Sequence, residues 1–308
     1  MTIFAHILLH NVLPLSVMIA IGVIVQRVFS LDMKTLSKLN FYVFSPAIIF
    51  QLLYTTDISW SLIGQVLLFF VLFMALQYAA VEAAVRLRGL QGGRRGAMRN
   101  SVLFYNSANY GIPLNQLAFA ANPYTLSIQI IIMMMQSLLP NTYGIYNVTS
   151  HRSDWRDIMR TIRKQPIIYV IPLAFLLRGF SIPLPQFAMT PIGYLASAFI
   201  GTALLTLGVQ LGSMSWRLDR ALVTDVLTSN GLRLIGGPLL AAAVVWALDI
   251  DSLTGAALIV SSAVPTSLSS VLLAVEFDNE AEFASQAVFL STLLSIVTVA
   301  SVIALLQI

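Results

Sequence analysis

The sequence predicts an all-α polytopic membrane protein: ten transmembrane helices arranged as two inverted five-helix repeats, with helices 4 and 9 broken. Three observations carry that expectation. The 308 residues are 58% hydrophobic and only 10% charged, whereas a soluble domain is about a quarter charged. Apolar segments alternate with joins whose basic content rises and falls in step. A proline also sits in mid-span, among small polar residues, at matching places in the two halves.

A helix needs about 20 apolar residues to cross roughly 30 Å of hydrocarbon. By that measure the spans fall at 5–26, 39–54, 61–85, 100–119, 124–148, 166–180, 190–212, 222–248, 253–275 and 283–307. The second and sixth are short. The first lacks a basic leading region and runs on past Pro14, so it reads as a span rather than a cleavable leader. Turn chemistry marks several joins: Gly89 to Gly96, Asn122-Pro123, the two prolines between Ser181 and Gln186, and Asp249 to Asp251.

The basic residues test the spacing. The odd joins hold Arg27, Lys34 and Lys38; then Arg86, Arg88, Arg94, Arg95 and Arg99; then Arg152, Arg156, Arg160, Arg163 and Lys164; then Arg217 and Arg220. The opposite joins hold only Arg178, and Arg233 falls within a span. Positive charge favours the inner face, so the odd joins are expected in the cytoplasm and both termini outside. The expected location is the cell membrane, a bacterial inner membrane.

Five spans per half is an odd number, so two such repeats would insert in opposite senses. The seam is expected at a basic cytoplasmic linker, residues 151–165, between a first repeat at 1–150 and a second at 166–308. Pro14 and Pro172 match across it. So do the fourth and ninth spans, which carry Asn106-Ser107-Ala108-Asn109-Tyr110-Gly111-Ile112-Pro113 and Ser261-Ser262-Ala263-Val264-Pro265-Thr266-Ser267. Proline removes a backbone donor and clashes with the preceding turn. The freed backbone groups are tolerated at membrane depth only where protein or a wet cavity takes them up. Either proline alone reads equally well as a structural kink. Interrupted spans at matching positions of two halves point instead to a midplane binding site.

At these residues the chain resembles the auxin efflux carrier family, including the bacterial malonate-type permeases and the plant PIN-formed transporters. Asn106 to Pro113, with Leu114-Asn115, is similar to the family's fourth-helix signature, the most specific of the shared motifs. Ser45-Pro46-Ala47-Ile48-Ile49-Phe50, Arg233-Leu234 with Pro238, Val264-Pro265-Thr266, Ala284-Ser285 and Ser291 to Ser295 also fit, in order, over nearly the whole chain. The resemblance implies that the broken helices 4 and 9 cross at their unwound centres. It also implies transport of small organic anions, such as malonate, malate or auxin-like acids, with helices 1, 2, 6 and 7 as a scaffold. Ala108 stands where glycine is common, and the long loop of many plant relatives is absent.

A carboxylate in a membrane site needs donors and a local positive potential. The expected substrate-binding residues are Asn106, Asn109, Tyr110 and Gly111 with Ser261, Ser262 and Thr266, and Pro113 and Pro265 set the breaks. Gln136, Asn141, Gln210 and Gln286 are supporting polar positions that read as interhelical hydrogen-bonding groups. Arg233 is expected to pair with Asp225 or Glu82.

No catalytic residue and no metal site is assigned. Serines have no intramembrane base beside them, no phosphate-binding glycine loop is present, and His6 with His10 makes only two ligands. The alternative readings are a sodium-coupled symporter of a larger amphipathic anion and, in a different class, a channel or a membrane-embedded enzyme. No cofactor is expected. Coupling stays open: no midspan carboxylate offers a proton carrier, while backbone, Asn and Ser oxygens suit sodium. The partners expected are the anion and the lipid bilayer, not nucleic acid, and a homodimer through the scaffold helices is compatible. The segment from Arg152 to Lys164, with Trp155 and Met159, reads as an interfacial helix meeting anionic lipid.

Overall fold

A computed structural model describes residues 13–56, 59–108, 110–213 and 220–308, excepting the side chains of residues 14, 15, 113 and 220. Every named element among them is a helix. Together with the apolar composition, this makes the chain an all-helical, multi-pass membrane protein. Among the described residues, five helices are long and apolar enough to cross a bilayer unbroken: Met33–Thr55, Trp60–Leu87, Gln186–Ser213, Ala221–Ala247 and Ala281–Leu306. Aromatic side chains stand exposed near helix ends, Trp60, Phe187 and Trp246 among them, where headgroups favour amphipathic rings.

In chain order, α1 is Leu13–Phe29 and α2 is Met33–Thr55. The second begins six residues earlier than hydropathy suggested because Asp32 caps it, accepting from Lys34 N at 3.2 Å and Thr35 N at 3.3 Å. α3, Trp60–Leu87, is capped by Ser59. α4 is Gly92–Leu103 and α5 is Gly111–Ala118. α4 starts well before the expected span, so Arg94, Arg95 and Arg99 lie on a helix and not in a loop. There Arg95 and Arg99 hold Glu82 at 2.5 and 2.6 Å, while Arg94 reaches Glu280 at 3.2 Å.

α6 runs from Pro123–Leu138 through a wide π turn, Pro140–Gly144, to Ile145–Thr149. α7 is Trp155–Arg163, α8 is Ile167–Gly179 and α9 is Gln186–Ser213. α10 joins Arg220–Gly231 to Gly237–Ala247 through a second π turn, Leu232–Gly236. α11 is Ser252–Ser262, α12 is Leu268–Glu276 and α13 is Ala281–Leu306. A third π turn, Asn40–Phe44, lies inside α2. Each π turn sits beside a proline (Pro46, Pro140 or Pro238), whose missing N–H breaks the regular ladder. Each also buries one polar side chain: Asn40, Asn141 or Arg233.

α1 and α9 approach closely enough to exclude a Cβ. One added at Gly22 would lie 2.9 Å from Gly208 Cα, and one at Gly212 would lie 3.0 Å from the Val23 carbonyl. Small residues at such spacing let membrane helices pack backbone to backbone. α2 joins this group: Asn40 accepts from Thr202 Oγ1 at 2.7 Å, and Tyr54 Oη accepts from Leu184 N at 2.9 Å.

Candidate functional site

Neither the fourth nor the ninth apolar segment is one helix. α4 ends at Leu103 and α5 begins only at Gly111, with extended backbone around Phe104 and Tyr105 between them; α11 ends at Ser262 and α12 begins at Leu268, with extended backbone around Thr266 and Ser267 between them. The two extended pieces pair. Tyr105 and Thr266 form an antiparallel bridge, Asn106 N donates to Pro265 O at 2.8 Å, and Ser267 N donates to Phe104 O at 2.9 Å. Unwound backbone at membrane depth thus finds partners in the other broken segment.

Side chains complete the satisfaction. Gln136 Oε1 accepts from Tyr105 N at 3.1 Å, and its Nε2 donates to Leu103 O at 3.2 Å. Thr266 Oγ1 donates to Ser101 O at 2.9 Å and Ser270 Oγ to Asn100 O at 3.1 Å, covering carbonyls at the end of α4. Gln129 Nε2 donates to Ser107 O at 2.7 Å and lies against Gly111, where a larger residue would strike it.

A narrow cavity of about 30 Å³ opens where the paired breaks face α2 and α9, space for water only. Asn106, Ser107 and Ala108 line it from one break and Ser267, Leu268 and Ser269 from the other, with Ser45, Gln136, Asn141 and Phe199 opposite or beside them. Ser267 caps α12, its Oγ accepting from Ser269 N at 3.2 Å. The first turn of a helix therefore borders the cavity, and with it the positive end of the helix dipole.

The expected residues divide into three groups. Asn106, Gln136 and Asn141 line the cavity, and the Asn141 Oδ1 there has no partner. Tyr110, Gly111, Ser261, Ser262, Thr266 and Pro265 belong to the breaks without lining it. Tyr110 Oη accepts from Ser295 Oγ at 3.1 Å, the Ser262 hydroxyl donates to Ile259 O at 2.7 Å, and the buried Ser261 hydroxyl has no partner. Gln210 and Gln286 lie apart: Gln210 is buried on α9, and Gln286 Nε2 donates to Glu282 Oε1 at 3.4 Å. Asn109 falls outside the described residues, as do the side chain of Pro113 and both His6 and His10. Among the described residues no three or more His, Asp or Glu are grouped to hold a metal ion.

Arg233 corrects one expectation. It pairs with neither Asp225 nor Glu82, because arginines nearer in space take both: Arg88 reaches Asp225 at 3.0 Å and Arg99 reaches Glu82 at 2.6 Å. Instead the Arg233 guanidinium, fully buried, donates to Gln77 Oε1 and Val102 O at 3.1 Å each and to Ser262 O. It also stacks on Tyr105, 4.5 Å from the ring centroid.

Sequence reasoning missed Gln77, Gln129 and the cavity serines Ser45, Ser107, Ser267 and Ser269. A glutamine isolated in an apolar run, as in Ile128-Gln129-Ile130, was the available signal for the first two.

The family model for membrane transport proteins matches residues 7–303. The chain belongs to the auxin efflux carrier family. A protein of Methanothermobacter thermautotrophicus described as an uncharacterized transporter is 26% identical over 284 residues, covering 90% of this chain and 91% of its own length. Family and relative alike point to a membrane transporter rather than an enzyme. The paired breaks are the place in this transporter where unwound backbone, polar side chains and a helix N-terminus meet.

Proposed function

We propose that this family member is a secondary transporter of small organic anions, working by alternating access with its substrate at the crossing of the two broken spans. The observation that carries the reading is the cavity between the paired breaks and α2 with α9. Asn106 and the capped first turn of α12 border it, which suits a carboxylate by hydrogen bonding and by the positive end of a helix.

The cavity is too small for a dicarboxylate, so binding requires the crossing to part from α2 and α9. That division matches the packing. α1, α2 and α9 form one group through glycine contacts and the Asn40 hydrogen bond, and α8 packs on α2, with Tyr54 bonded to the join that follows it. The remaining spans form the group that shifts against it. In this reading each broken span counts once, giving ten spans in two inverted halves, with both termini on the outer face of a cell membrane.

Substrate class and topology are tested separately. Purified protein is heated with malonate, malate or indole-3-acetate, with and without sodium, and uptake of the acid that raises the melting point is followed in proteoliposomes. Asn106→Ala weakens the response about tenfold, the loss of one hydrogen bond to a charged group. If no carboxylate at millimolar concentration raises the melting point or enters vesicles, the anion reading is wrong. For topology, the chain holds no cysteine, so single cysteines at Lys34 and Asp249 report sidedness alone. Labelling of both from the same face would refute the arrangement.

A further inference from the structure

We infer that Arg233 sets the charge selectivity of the crossing without touching the substrate, by neutralising the two helix C-termini that end there. This inference rests on the anion reading above.

Four helix ends meet at the paired breaks. α4 and α11 arrive with their C-termini, while α5 and α12 depart with their N-termini. Each end carries about half an elementary charge, negative at a C-terminus and positive at an N-terminus. Left alone, the two pairs cancel, and a site between them would have no reason to prefer an anion to a cation.

Arg233 breaks the tie. Its guanidinium donates to Val102 O, in the last turn of α4, and to Ser262 O, the last residue of α11. Those are the carbonyls a helix leaves without an internal partner. One full positive charge therefore sits on the two negative ends and leaves the two positive ends unopposed. The first turn of α12 faces the cavity.

Three features argue for an electrostatic role beyond that of a clasp. First, among the described residues no carboxylate pairs with Arg233, so its charge is not spent on a side chain. Second, burial is complete, so water does not screen it. Third, Tyr105 both lines the cavity and stacks on the guanidinium, placing the charge one aromatic ring behind the cavity wall.

The test separates charge from structure with two variants at Arg233 and one at Gln77. Gln77→Glu keeps the hydrogen-bonding geometry but gives the guanidinium a carboxylate partner. Arg233→Lys keeps the charge with fewer hydrogen bonds, and Arg233→Met loses both. Each full-length variant, checked for a single folded species in detergent, is titrated with the acid that the wild type binds best and with the neutral amide of that acid.

If Arg233 sets selectivity, Gln77→Glu and Arg233→Met weaken the acid about tenfold or more while the amide changes little, and Arg233→Lys retains the acid preference. If Arg233 is only a clasp, Gln77→Glu keeps the wild-type preference, and the inference falls. Should Arg233→Met fail to fold, Gln77→Glu alone decides. Wild-type protein that binds no acid at all refutes the anion reading instead, and this inference with it.

Discussion

The backbone amide of Asn106 donates to the carbonyl of Pro265 across 2.8 Å, joining two segments separated by about half of the chain. Pro265 has no amide hydrogen to give, so its break leaves carbonyls in excess, and the other break supplies the donor. Each interruption is tolerable at membrane depth because the second exists.

Gln136 is the side chain that most directly holds the fourth-span break, since it serves Tyr105 N and Leu103 O together. Gln136→Leu leaves a buried donor and a buried acceptor unpaired. A cost of about 2–3 kcal/mol is expected, read as a lower melting temperature in detergent. Gln136→Glu, which still accepts from Tyr105 N, loses less.

Gly208 and Gly231 make opposite predictions for one substitution. A Cβ at Gly208 would lie 2.8 Å from Gly22 Cα, whereas one at Gly231 meets nothing within 4 Å. Gly208→Ala is expected to force α1 from α9 at a cost of about 1–3 kcal/mol. Gly231→Ala, in a helix interior, is expected to stabilise by about 0.5–1 kcal/mol. Thermal unfolding of the two variants side by side reads the difference.

Asp251 caps α11, accepting from Thr254 N at 3.0 Å, and that backbone hydrogen bond holds its carboxyl below the ordinary value of 3.8. A carboxyl with a lowered folded pKa stabilises the fold above its unfolded pKa, and the gain is lost as pH falls through the folded one. Asp251→Ala is therefore expected to cost about 1 kcal/mol near neutral pH and progressively less below pH 3.8. Asp251→Asn keeps the cap and removes this pH dependence. Melting temperature against pH for the three proteins checks it.

α7 exposes Trp155, Arg156, Arg160 and Arg163, with Lys164 exposed at its C-terminal cap, while burying Ile158. Basic residues at an anionic surface contribute about 1 kcal/mol each. Protein with Arg156, Arg160 and Arg163 all changed to glutamine is expected to retain less acidic phospholipid through purification, measured by mass spectrometry of the bound lipid. Retention equal to the wild type would remove lipid contact as the role of α7.

The interruption of both spans was legible because it is local. Proline, with Asn, Ser and Gly around it, cannot sustain a ladder, whatever packs against it. The π turns were not legible: Pro46, Pro140 and Pro238 mark them, but a proline near a helix start reads the same with or without a widened turn. α4 begins earlier than the apolar run predicts, because Arg94, Arg95 and Arg99 read as loop residues in the sequence alone. A helix tolerates arginines once Glu82, Asp225 and Glu280 neutralise them, and two of those carboxylates, Asp225 on α10 and Glu280 just before α13, are distant in sequence.

By itself the sequence determined that the chain lives in lipid, that its elements are helices, and where two of them break. Those properties follow from composition, run length and backbone chemistry, each readable within a few residues. Tertiary structure decided the partners. Arg233 passed over both expected carboxylates for the carbonyls of Val102 and Ser262, and Thr266 met Ser101 across 165 positions. A low-dielectric interior demands that every buried polar group be paired but does not dictate with which. Only the packing of helices far apart in sequence makes that choice.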